Sequence, residues 1–193
     1  MQSVTHAEVR QLLAAIDVRS AFGPRDYFLI VFDVNTGLRV HELTGLTVSD
    51  VAQGGIPRPL LVVRSDIAKG SKSRIVPLNA LAQKAVARLL AFNAARGFSR
   101  APGAPLFVTR KHTRLSDRAV QRMMQMLRIK AGLDIQATPH SLRHGFASHL
   151  AEKTGNIRVV QKLLGHKRLE TASVYTHTTR QQLQAAVDAM VSP

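Results

Sequence analysis

His140 and Arg143 stand three residues apart in TPHSLRHGFASHL, and His166 stands nine residues before Tyr175. Residues at i and i+3 of a helix share a face, so an imidazole and a guanidinium there can converge on one small anion. Thr138 is a suitable N-cap and Pro139 suits the first helical position, which sets the pair at a helix N-terminus. Such an end offers free N–H groups and the positive pole of the helix dipole, a good seat for a phosphate. Tyr175 is one of two tyrosines in the chain, and it lies within this basic, histidine-bearing stretch. With Arg39 upstream in TGLRVHEL, the set reads as a phosphate clamp facing a phenolic nucleophile.

The elements that must hold these residues are mostly helical. Thr5 and Glu8 have capping-box spacing, and Val9, Leu12, Leu13 and Ile16 recur at helical intervals. Gly23-Pro24 reads as a break before a strongly apolar, buried helix from Tyr27 to Asn35, closed by Gly37. A short helix around Arg39 ends near Gly45, and 46–50 reads as an exit loop. Residues 54–59 make an irregular connection to two β-branched runs, 60–64 and 74–78, which read as an antiparallel hairpin with a basic loop. Asn79 caps a helix over 80–96, and 106–108 is a short strand or a buried anchor. Ser116 caps a helix over 117–131 with an apolar stripe of Val120, Met123, Met124, Leu127 and Ile129. Helices over 138–153, 156–164 and 169–175 follow, with a helical tail over 178–190. The fold class is mainly α with a small antiparallel β-hairpin, in one domain without internal repeats.

Charge narrows the partner. The 27 Lys+Arg against 12 Asp+Glu give +15 and a pI near 11.5. Such an excess implies a polyanion, nucleic acid before an anionic membrane. No apolar run approaches the roughly 18–20 residues of a membrane-spanning helix. Cysteine is absent, which removes disulfides, thiolate metal sites and cysteine nucleophiles. Nothing at the N-terminus suggests export, so a cytoplasmic protein, nucleoid-associated when acting, is expected.

TGLRVHELTGL, AKGSKSRIVPL, PHSLRHGFASHL and LLGH followed by SVYTH resemble the boxes of the tyrosine recombinase (phage integrase) family, in family order. The resemblance covers about residues 27–178 and implies the catalytic-domain fold of that family, DNA breaking and rejoining, and double-stranded DNA as partner. It implies clamp roles for Arg39 and Arg143, phosphate-donor or proton-carrier roles for His140 and His166, and the nucleophile's role for Tyr175. Guanidinium groups suit the clamp because they stay charged and donate in a planar fork. Lys69 aligns with the family's hairpin lysine, the general acid for the leaving 5′-oxygen; Lys72, three residues on, can substitute. Glu42 is expected to orient an arginine or histidine, and His144 to pack or to support the site. His144 and His149 share the helix with His140, and an (i, i+4) histidine pair can ligand zinc. HExxH and cysteine are missing, however, so neither a metal nor any other cofactor is expected.

By the same resemblance the enzyme is a site-specific recombinase that forms a 3′-phosphotyrosyl intermediate, with a homotetramer acting on two duplexes and a monomer in isolation. A topoisomerase IB-like nicking-closing activity, or a DNA-binding protein with vestigial chemistry, are the alternatives. Arg58, Arg64, Arg74, Lys111, Arg114, Arg118 and Arg122 are expected to line a DNA-facing surface. Residues 1–193 read as one catalytic domain without the N-terminal core-binding domain that many relatives carry. The tail, about 178–193, is expected to be exchanged between subunits. An excised domain and a short stand-alone recombinase both fit.

Overall fold

The computed structural model describes residues 4–68, 72–134, 137–165 and 180–190. Its first helix, α1 (His6–Ala14), opens with the expected capping box: the Glu8 N–H donates to Thr5 Oγ1 and the Thr5 N–H to Glu8 Oε2. The central helix is α2 (Gly23–Thr36), which buries Leu29, Ile30 and Phe32. It begins a turn earlier than the apolar run suggests. Gly23-Pro24 does not break the helix but starts it, because a proline in the first turn has no hydrogen bond to lose. Gly37 ends it in the left-handed region, at φ 58°, with its N–H on the Asp33 carbonyl at 2.8 Å.

Short elements follow. These are α3 (Val40–Gly45), α4 (Val48–Val51), β1 (Ala52–Gln53), β2 (Ile56–Pro57), β3 (Leu60–Val63) and β4 (Arg74–Pro77). The exit loop expected at 46–50 is instead a one-turn helix, started by Asp50, whose carboxylate accepts from the N–H and hydroxyl of Thr47. The connection expected to be irregular is a minimal antiparallel ribbon, β1 with β2, turning at Gly54 and Gly55 with φ of 58° and 82°. The expected hairpin forms in the register Leu61↔Val76 and Val63↔Arg74. Its alternation turns Leu61, Val63 and Val76 into the core and leaves Val62 and Ile75 outside.

The longer helices are α5 (Ala80–Ala95), α6 (Asp117–Lys130), α7 (Pro139–Thr154), α8 (Ile157–Leu164) and α9 (Arg180–Asp188). Asn79 caps α5 and also donates to Asn35 at 2.8 Å, fastening α5 to the end of α2. Residues 106–108 act as the buried anchor, with Leu106 and Phe107 inside and a single bridge from Val108 to Arg114. On α6, Val120 and Met124 point inward, but Ile129 is exposed. It lies two residues past Leu127, about 200° further round the helix, so it cannot share that stripe. In the assembled domain α2 packs between α5 and α7. α9 packs on α7, α8 and β4 of its own chain through Leu183, Ala186 and Val187. The helix expected over 169–175 lies outside the described residues.

Candidate active site

Glu42 is the base of the site. It lies in the first turn of α3, and its side chain is 1% exposed. Its Oε2 accepts the Arg39 N–H at 2.9 Å, and its Oε1 accepts Arg39 Nη1 at 3.1 Å. Arg74 Nη1 and Nη2 donate to Oε1 and Oε2, each at 2.6 Å, and Arg143 Nη1 stands 3.9 Å from Oε2. Burial would raise this carboxyl's pKa, but the hydrogen bonds from Arg74 and Arg39 outweigh it and hold the group below the usual carboxylate range. Glu42 is therefore ionised, with three guanidinium groups around it.

Arg143 comes from α7, where the expected cap holds: Thr138 Oγ1 accepts from the Ser141 N–H at 3.1 Å, and Pro139 opens the helix. Its guanidinium is buried and donates to the carbonyls of Gly37 and Leu164, each at 2.6 Å. Two of its five N–H groups are thus committed to holding it in place. Burial brings its pKa down to about 10, helped by Arg39 and opposed by Glu42, so it remains a cation at neutral pH. Behind it, in the last turns of α2, Asp33 is 1% exposed. Burial pushes this carboxyl up to about 8, against the pull of Arg143 and with a further push from Glu42. Two nearby carboxyls are thus driven apart, Glu42 charged and Asp33 neutral. The three arginines keep an excess of positive charge, as a phosphate site needs.

His140, one turn before Arg143, is exposed, with Nε2 3.1 Å from Nε2 of His144. Its pKa lies below the ordinary histidine value through partial burial, then the fields of His144, Arg143 and Arg39. His144 packs edge-on against His140, with ring centroids 4.5 Å apart, while His149 stacks edge-on against His6. Arg39, Glu42, His140, His144 and Arg143 form one neighbourhood. Lys72 is exposed two residues before β4. Lys69, His166 and Tyr175 lie outside the described residues.

The basic surface divides in two. Lys111, Arg114, Arg118 and Arg122 are exposed. Arg74 is not on that surface: its side chain is 11% exposed and turned onto Glu42. Arg64 is engaged by Asp50, Asp66 and Thr47, Arg114 donates to the Thr44 carbonyl, and Arg58 donates to Gln53. A cavity of about 410 Å³ runs from His140 and Thr138 to Gln121, Gln125 and Arg128 of α6. These three were not expected as site residues, although their i, i+4, i+7 spacing places them on one helix face. Asp33 was missed as well, because an acidic residue in an apolar helix gives no sign of facing a cation from another helix.

The sequence pattern of the phage integrase family matches residues 2–182. The chain belongs to that family. Among relatives, a tyrosine recombinase XerC of Proteus mirabilis is 40% identical over 184 residues, covering 94% of this chain and 56% of XerC. The crystal structure of XerA recombinase superposes with a TM-score of 0.71 at 31% identity, over 96% of this chain and 61% of that one. That of XerH site-specific recombinase bound to difH substrate gives 0.69 at 25% identity, over 89% and 49%. The fold is that of the family, mainly helical with small antiparallel β pairs. This family member spans about half the length of the curated relatives it matches. Among the described residues, no helix is long and apolar enough to cross a membrane.

Proposed function

We propose that this chain supplies the catalytic domain of a site-specific DNA recombinase. The observation that carries the reading is the pair Arg39 and Arg143 fixed beside ionised Glu42 and exposed His140. In the proposed reaction the Tyr175 hydroxyl oxygen attacks a scissile phosphorus, and the phenolic proton passes to His140 or His166, the proton carriers of the resemblance. A phosphorus–tyrosine bond forms and the bond to the 5′-oxygen breaks, with Lys69 or Lys72 donating a proton to the leaving oxygen. Charge gathering on the non-bridging oxygens is met by Arg39, Arg143, His140 and His166. The phosphotyrosyl bond conserves the phosphodiester free energy, so a 5′-hydroxyl from another strand can reverse the step without ATP.

Exchange between two duplexes cuts four strands, and one nucleophilic tyrosine per chain then requires four chains, a homotetramer on double-stranded DNA. The tail exchange expected between those subunits would require α9 to leave its intrachain seat. The proposed place of action is the cytoplasm, on the nucleoid. A nicked suicide duplex carrying the target site should yield a protein–DNA adduct that resists SDS, and Tyr175→Phe should yield none. An adduct with Tyr175→Phe would remove the nucleophile assignment. Relaxation of any supercoiled DNA without exchange between sites would favour the nicking-closing alternative.

A further inference from the structure

Arg74 was expected on the DNA-facing surface, yet all three nitrogens of its guanidinium are engaged inside the protein. Nη1 and Nη2 make a parallel fork onto the two Glu42 oxygens, and Nε donates to the Leu163 carbonyl at 3.0 Å. One residue on, the Leu164 carbonyl accepts from Arg143 Nη2 at 2.6 Å. The last carbonyls of a helix lack partners within it. Here two of them are taken by two arginines that face the same carboxylate. Gly165 then turns the chain at φ 65°, and a Cβ on it would come within 3.1 Å of Arg74 Cδ. Arg74 is also the first residue of β4, two residues after Lys72.

We propose that Arg74 is a positioning residue for strand transfer. It joins three parts into one unit: the lysine-bearing hairpin, the carboxylate beneath Arg39 and Arg143, and the end of α8 that precedes His166 in sequence. The proposal rests on the recombinase reading above. Lysine cannot replace Arg74 in this role, because a point charge on a flexible stem does not supply three coplanar donors. A DNA phosphate contact, by contrast, would tolerate lysine.

The test compares Arg74→Lys with the unsubstituted protein on a nicked suicide duplex at saturating concentration. Cleavage is expected to slow about 10²-fold, the effect of a small misplacement of reacting groups. Affinity for the duplex and its salt dependence are expected to stay unchanged. Part of the slowing should remain on a 5′-bridging phosphorothiolate strand, because a better leaving group makes up for a displaced hairpin lysine but not for a displaced clamp; full rescue on that strand would overturn the link to Arg143. Glu42→Gln added to Arg74→Lys should slow cleavage by less than the product of the two single effects, since both changes break the same fork while Glu42 also holds Arg39.

Cleavage within about threefold of the unsubstituted rate would overturn the proposal. So would weakened binding with a salt slope shallower by about 0.9, the mark of a lost phosphate contact. A second measurement needs no chemistry. In DNA-free protein with ¹⁵N-labelled arginine, the Arg143 Nε–H resonance should move on Arg74→Lys and stay in place on Arg19→Ala. An unmoved resonance also overturns the proposal. If the unsubstituted protein forms no adduct on its target, the recombinase reading falls, and the resonance still decides whether Arg74 holds Arg143.

Discussion

Arg143 on α7 donates to the carbonyl of Gly37 at 2.6 Å, across 106 residues of chain. That carbonyl is aimed by a left-handed turn with φ 58°, and a Cβ on Gly37 would meet Phe146 Cδ1 at 2.4 Å. Gly37→Ala therefore combines backbone strain with a steric collision at the residue whose carbonyl seats Arg143. Gly155 is a matched control, with φ 61° and open space around its Cα. Gly155→Ala should cost about 1 kcal/mol, and Gly37→Ala more than that together with a loss of cleavage rate. Thermal melts and single-turnover cleavage of the two variants decide it; equal behaviour would mean that the turn at Gly37 does not position Arg143.

The leaving-group acid is testable by substrate chemistry. Lys69→Ala should slow cleavage of an ordinary phosphodiester far more than of a 5′-bridging phosphorothiolate, whose sulfur leaves without a proton. Equal losses on both strands would move the role to Lys72, and Lys72→Ala should then show the selective loss.

Asp33 makes stability depend on pH in an unusual direction. Its folded pKa is raised to about 8 from 3.8, chiefly by burial. A carboxyl raised in this way contributes stability that is complete below its unfolded pKa and is lost as pH rises through the folded value. Asp33→Asn removes that loss. It should therefore leave the melting temperature near its original value at pH 4 and raise it increasingly from pH 4 to pH 8, by about 2–4 °C for each kcal/mol relieved. A variant whose advantage does not grow with pH would show that Asp33 is ionised in the fold.

DNA binding by the 193-residue chain should weaken steeply with salt, its log affinity falling by about 0.9 per decade of salt for each phosphate neutralised. Lys111→Ala, Arg118→Ala and Arg122→Ala should each make that slope shallower by about one unit, while Arg74→Lys should not. Modest preference for the target over scrambled duplex is expected, because backbone contacts position a protein without specifying sequence. Titrations of both duplexes across a salt series measure both quantities. A strong site preference at physiological salt would assign sequence reading to this chain alone.

The sequence by itself determined what is local. The capping box at Thr5, the N-cap at Thr138, the left-handed stop at Gly37 and the alternation of 60–63 against 74–77 depend on neighbours within a few residues, and all formed where their patterns lie. The family could be read as well, because its boxes are short runs whose order along the chain is visible without a fold. Composition showed a surplus of arginine but not which arginines face outward. That was decided by tertiary structure, since Arg74 and Arg118 are equally basic in sequence. Arg74 meets a buried carboxylate 32 residues before it, while Arg118 meets solvent. The same holds for the two carboxyls near Arg143. Glu42 is ionised because donors from Arg39 and Arg74 converge on it, and Asp33 is held neutral because burial outweighs the charge beside it. Desolvation and hydrogen bonding act between residues far apart in the chain, so only the folded protein could assign those charges.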